Sequence, residues 1–140
     1  MTTPAPTQPC PCGRLGPNKK PLTLAQCCGR YVGHLDDTPA PDAEALMRSR
    51  YTAHVLCDAR YIVDTWYIAT RPSASPEFEL EPGTKWLALE VRDHRVIDAD
   101  HAEVEFVARY RVAGRGVRLH ERSRFVREDG RWYYVDGDTR

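Results

Sequence analysis

The segment Glu121-Arg122-Ser123-Arg124-Phe125-Val126-Arg127-Glu128-Asp129-Gly130-Arg131-Trp132-Tyr133-Tyr134-Val135-Asp136-Gly137 reads as two strands joined by a tight turn. An Asp-Gly pair tolerates positive φ at both central turn positions, which suits the right-handed twist of the flanking strands. Centring the turn on Asp129-Gly130 sets Phe125 opposite Tyr134 and Ser123 opposite Asp136. Upstream, Val104, Phe106, Ala108, Tyr110 and Val112 alternate with Glu105, Arg109 and Arg111, the two-residue period of a half-buried strand. A second turn, on Gly114-Arg115, puts Tyr110 opposite Leu119, Ala108 opposite Glu121 and Phe106 opposite Ser123. Both registers bury one face, made of Val104, Phe106, Tyr110, Leu119, Phe125, Trp132 and Tyr134. They turn Arg109, His120, Arg122 and Arg124 outward, with Glu105 across from Arg124.

With Trp86 to Val91 as a further strand, the C-terminal half is an antiparallel meander. Two helices precede it. Asp42 offers an N-cap to a helical run reaching about Cys57, whose apolar face is Leu46, Met47, Tyr51, Val55 and Leu56. A shorter helix runs from Ala59 to about Tyr67, and Arg71 to Gly83, with three prolines, reads as a loop. Helices followed by a meander give an α+β fold in which the helices cover one face of a curved sheet. The front of the chain differs. Thr2 to Pro41 is rich in proline, glycine and polar residues and has no sustained period, so it needs an external staple to hold a shape.

Composition narrows the classes. At 140 residues the chain is the size of one domain, and 20 basic residues balance 20 acidic ones. That neutrality argues against nucleic acid as a partner. No apolar run approaches the roughly 18 residues a membrane span needs, and Met1 to Pro9 has no secretory pattern, so a cytoplasmic location is expected. In a reducing compartment five cysteines point to metal, catalysis or burial before disulfides.

Four of the cysteines form two close pairs, Cys10-Pro-Cys12-Gly and Cys27-Cys28-Gly. Four thiolates complete tetrahedral zinc without a water, which makes a structural site rather than a catalytic one. Binding there would supply folding free energy to a segment with little core of its own. Unliganded thiols or a disulfide are the alternatives, and an iron–sulfur cluster is less economical for so short a segment. Cys57, beside Leu56, reads as a small buried hydrophobe, and His34 as a substitute ligand.

The pattern Cys-Pro-Cys-Gly followed by Cys-Cys-Gly resembles the SEC-C zinc motif of the SecA C-terminus and of many other bacterial proteins. Leu46-Met47-Arg48-Ser49-Arg50-Tyr51, Thr65-Trp66, Glu121-Arg122-Ser123-Arg124-Phe125 and Gly130-Arg131-Trp132-Tyr133-Tyr134-Val135-Asp136-Gly137 are similar to the YchJ family of bacterial proteins. The resemblance spans nearly the whole chain. It implies a SEC-C zinc knuckle over residues 1–40, with Zn2+ on Cys10, Cys12, Cys27 and Cys28, followed by a nuclear transport factor two-like cone over 41–140. The interval from Cys12 to Cys27 is longer than usual for SEC-C, and the extra residues around Gly16 to Pro21 form a loop.

Glu121 interrupts the apolar face between Leu119 and Phe125, with Ser123 and Asp136 expected beside it. A carboxylate so placed either pairs with Arg48 or Arg50 of the first helix or serves as an acid or base in a pocket. Tyr51, Trp66, Glu121, Ser123, Trp132 and Tyr134 are the candidates for that pocket's wall. Two functions follow. In the first, the zinc segment presents a surface to a protein partner, as SEC-C motifs are associated with doing; in the second, a small molecule occupies the cone, with Glu121 as candidate catalytic group. The outer arginines Arg109, Arg111, Arg118, Arg122 and Arg124 make a stripe that reads as a solvated face.

Overall fold

The computed structural model describes residues 5–71 and 83–140; the expected loop falls largely outside them. Helix α1, Ala43–Val55, is capped by Asp42, whose carboxylate accepts from the Ala45 N–H at 2.7 Å. Helix α2, Ala59–Asp64, begins at Asp58, which accepts from the Tyr61 N–H at 3.1 Å. Strands β1 (Lys85–Val96), β2 (His101–Val112), β3 (Arg115–Glu128) and β4 (Arg131–Thr139) form one antiparallel meander in the order β1-β2-β3-β4. Helix α1 lies across the sheet against β1, β2 and β4, with α2 beside it. Between helices and sheet lies the core, where Leu46, Ile62, Val104 and Phe125 are each 2% exposed or less.

Both hairpins close on paired positive φ angles, Asp129 and Gly130 at 54° and 77°, Ala113 and Gly114 at 51° and 78°. The second turn therefore sits one residue earlier than Gly114-Arg115. The β2–β3 pairing slides by two as a result, setting Ala108 against Leu119, Phe106 against Glu121 and Glu105 against Arg122 rather than Arg124. A slide of two keeps every side chain on its face, so the expected core face is the observed one. In β3–β4, Phe125 faces Tyr134 as expected. A bulge between Arg124 and Phe125 then shifts the pairing, so that Ser123 faces Gly137 and Asp136 turns outward to Arg124.

Both helices end earlier than the periodicity suggests. Cys57 lies beyond the end of α1 with φ 59° and is exposed, not buried. After α2 the chain runs along the open edge of β4. The Tyr134 N–H donates to the Thr65 carbonyl at 2.8 Å and the Tyr134 carbonyl accepts from the Tyr67 N–H at 2.7 Å, which shields part of an edge strand. Among the described residues no helix is long and apolar enough to cross a membrane.

Candidate functional site: a four-thiol centre and a cavity behind it

Short antiparallel pairing folds the N-terminal segment back on itself. The Cys10 N–H donates to the Leu22 carbonyl at 2.9 Å and the Leu24 N–H to the Gln8 carbonyl at 2.8 Å, with bridges at Pro9–Thr23 and Leu15–Pro21. This brings the Cys10–Cys12 turn against Cys27 and Cys28. The second pair sits in a turn that closes over Leu24, whose carbonyl accepts the Gly29 N–H at 2.8 Å. A Cβ at Gly29 would lie 2.6 Å from that oxygen, so the glycine of Cys-Cys-Gly is required by close approach of backbone.

The sulfurs of Cys10, Cys12, Cys27 and Cys28 all lie within 4.8 Å of one another, and the residues are 4%, 0%, 3% and 1% exposed. Tetrahedral Zn–S bonds of about 2.3 Å place sulfurs about 3.8 Å apart. Cys12 to Cys27 at 3.6 Å and Cys27 to Cys28 at 4.0 Å bracket that edge. The donor set thus fits a soft four-coordinate cation. Hydrogen bonds from the other three thiols hold Cys10 far below its ordinary value, while sharing a proton with Cys10 pushes Cys28 up. Four buried thiolates cannot coexist without a positive ion among them.

The centre is fastened to α1. The Arg48 guanidinium donates to the Cys12 carbonyl at 3.1 Å and to Glu44 at 2.8 Å, and Thr52 Oγ1 lies 3.7 Å from Cys10 Sγ. His34 is exposed and stands outside the cluster.

On the sheet side of α1 lies a cavity of about 280 Å³. Its helical wall is Met47, Arg50, Tyr51 and His54, joined by Ile62 and Trp66; its sheet wall includes Trp86, Phe106, Leu119, Glu121, Ser123 and Tyr134. Five of the six sequence candidates, Tyr51, Trp66, Glu121, Ser123 and Tyr134, line it. Trp132 does not: it lies nearer the β3–β4 turn, opposite Arg127, and is buried in the core. Asp136 is also absent from the wall, because the bulge turned it to the outer face.

Glu121 pairs with neither Arg48 nor Arg50 among the described contacts. Its Oε2 accepts from Ser123 Oγ at 2.5 Å and from the Tyr134 hydroxyl at 3.3 Å. Room for the side chain comes from Gly137, where an added Cβ would lie 2.6 Å from the Glu121 carboxyl carbon. Arg50, 9% exposed, donates through Nη1 to the Ile62 carbonyl and to Thr65 Oγ1, both at 2.7 Å. Its guanidinium carbon stands 4.7 Å from the Tyr134 ring centre and 5.3 Å from that of Trp66. Burial lowers Arg50 only to about 10, so it stays charged. Burial, then the charge of Arg50, lowers His54 to about 4 and keeps that imidazole neutral. Burial pushes the Tyr51 hydroxyl up to about 12. Tyr51 meets Trp86 edge to face and His54 meets it at a 45° tilt, at centroid distances of 5.5 and 5.1 Å.

Sequence reasoning passed over Arg50, His54 and Trp86 as wall residues. A signal existed, since Met47, Arg50, Tyr51 and His54 stand at i, i+3, i+4 and i+7 and must share one helical face. Two of the five outer arginines are paired with acids: Arg122 reaches Glu103, Asp93 and Glu105, and Arg124 reaches Asp136 and Asp138.

A helix-backed antiparallel meander with a four-thiol centre fastened behind its first helix defines an NTF2-like protein that carries a cysteine knuckle. Residues 42–137 match the family described as YchJ, middle NTF2-like domain, and the chain belongs to that family. A UPF0225 protein of Polaromonas sp. is 64% identical over 132 residues, spanning 94% of this chain and 93% of the relative. One from Bordetella pertussis is 52% identical over 134 residues, spanning 94% and 92%. Among solved structures, a SEC-C motif containing protein from Psychrobacter arcticus superposes with a TM-score of 0.73 at 31% identity, covering 94% of this chain and 82% of that one. A SEC-C motif containing protein from Rhodopseudomonas palustris gives 0.73 at 34% identity, covering 93% and 97%.

Proposed function

We propose that this is a zinc protein whose metal is structural and whose cavity binds a small organic molecule. The observation that carries the binding reading is the cavity itself: about 280 Å³ walled by aromatic rings, with one guanidinium and one carboxylate among them. Apolar walls with a few convergent polar groups are what small-molecule sites are made of. Glu121 is the one carboxylate among the described wall residues and hence the candidate acid or base. Five cysteines outside any disulfide suit a reducing compartment, and the cytoplasm is where we place the protein.

Two experiments test this. Elemental analysis of protein purified without added metal should return one zinc per chain, reduced to well below that in Cys28→Ser; another metal at full occupancy, or none with the fold unchanged, refutes the zinc reading. A fragment library screened by NMR should yield binders that shift the Trp86 indole and Met47 methyl signals and that Ala108→Leu, which adds bulk at an alanine of the cavity's sheet wall, excludes. Binders insensitive to Ala108→Leu would refute the cavity as the site.

A second reading, contact with a protein partner through the zinc segment, has one observation in its favour. Leu15, on the loop between the cysteine pairs, is 54% exposed while the thiols themselves are sealed. On this reading Leu15→Asp abolishes binding to a partner that Ala108→Leu still retains; equal retention by both variants removes it.

A further inference from the structure

Two opposite charges line the cavity without touching. Arg50 is more than nine-tenths buried, yet among the described residues no carboxylate lies within 4.0 Å of it, and only its Nη1 is hydrogen-bonded. Nε and Nη2 have no hydrogen-bond partner among the described residues. Glu121 has the matching vacancy: both of its hydrogen bonds fall on Oε2, leaving Oε1 with none among the described residues. Glu121 is half-buried, and the free nitrogens of Arg50 and Oε1 of Glu121 open onto the cavity rather than being sealed in protein, so solvent or a ligand entering the cavity can meet them.

Tyr134 relates the two positions. Its ring lies 4.7 Å from the Arg50 guanidinium carbon while its hydroxyl donates to Glu121 at 3.3 Å. The cation and the anion are therefore about one phenol apart, too far for direct contact and near enough for one small molecule to bridge. A simple anion would satisfy Arg50 and be repelled by Glu121; a simple cation would do the reverse. His54, neutral beside them, adds no charge to this balance.

Resting on the reading of the cavity as a small-molecule site, the geometry points to a zwitterionic ligand, an amino acid with an apolar side chain. Its carboxylate meets Nε and Nη2 of Arg50, its ammonium meets Oε1 of Glu121, and its side chain lies among Tyr51, Trp86 and Phe106. The guanidinium fork matches a carboxylate in two parallel bonds. The site is electrically neutral before and after binding, so no net charge is buried.

Calorimetry on the metal-loaded full chain with L-phenylalanine, 3-phenylpropionate, phenethylamine and 3-phenylpropan-1-ol tests this directly, with L-leucine as a second amino acid. An amino acid should bind at least about tenfold more tightly than either half-charged analogue, the value of one charged hydrogen bond. Glu121→Gln should bring L-phenylalanine and 3-phenylpropionate to within about twofold of each other while both still exceed phenethylamine. Arg50→Met, its fold checked by circular dichroism, should instead erase the preference over phenethylamine; if it does not fold, Arg50→Lys serves, with the carboxylate preference weakened. The alcohol binding as tightly as L-phenylalanine overturns the charge argument and leaves the cavity reading standing. Equal binding of 3-phenylpropionate and L-phenylalanine to the wild type also overturns it. No binding by any of the five compounds overturns both.

Discussion

Gly137→Ala isolates the packing that holds Glu121. On the glycine backbone an added Cβ stands 2.6 Å from the Glu121 carboxyl carbon and 2.9 Å from its Cγ, with Oε2 closer still. Carbon atoms at rest sit about 3.5–4.0 Å apart, so the carboxylate must retreat by about an ångström. That retreat breaks the 2.5 Å bond from Ser123 and the weaker one from Tyr134. A hydrogen bond to a charged group is worth about 1.5–3 kcal/mol, and crowding a packed site costs about 1–3 kcal/mol more. Against this, alanine replaces glycine in a strand and gains about 0.5–1 kcal/mol. The net is a loss of about 3–4 kcal/mol. Urea unfolding with zinc held saturating reads it as a lower midpoint at unchanged slope. The decisive comparison is the same substitution in a Glu121→Ala background, where the crowding has no target and Gly137→Ala should be neutral or stabilising by up to about 1 kcal/mol. Equal losses in both backgrounds, within about 0.5 kcal/mol, would refute the account of why this strand carries a glycine.

Three further outcomes follow from named contacts. His54 titrates at about 4 in the folded chain, against about 6.5 unfolded, so between those values only the unfolded chain gains the proton. Stability should therefore fall as pH drops from 6.5 towards 4, by about 3 kcal/mol in all, and the difference between wild type and His54→Gln should carry that slope; an imidazole resonance of His54 that moves between pH 8 and 6 contradicts it. Ile62, 0% exposed beneath the cavity, should cost about 2–5 kcal/mol as Ile62→Ala by thermal or urea unfolding. Arg124→Ala on the outer face, where both acidic partners are half-exposed, should cost under about 1 kcal/mol, and less still in high salt.

Much of this molecule is legible in its residues, and the limit falls at one kind of information. Alternation of apolar and polar residues in β2 and the Asp-Gly turn give the inward faces of β2, β3 and β4, and the pairing of Phe125 with Tyr134 follows from that turn. The two cysteine pairs and their glycines give the thiol centre, because the chemistry needs four donors and the turns need residues without a Cβ. Periodicity cannot tell a register from its neighbour two residues away, since both leave the same face inward. That is why the β2–β3 pairing was displaced while the core was not. Nor does it reveal a bulge, and the bulge between Arg124 and Phe125 decides the site. On the unbroken register Asp136 would stand beside Glu121 on the inner wall, two carboxylates sharing one small space and repelling each other. One extra residue in β4 sends Asp136 out to Arg124 and brings Gly137 in, replacing a second negative charge with empty volume. The cavity is left with a single carboxylate to set against Arg50, and that equality of charge is a product of the bulge alone.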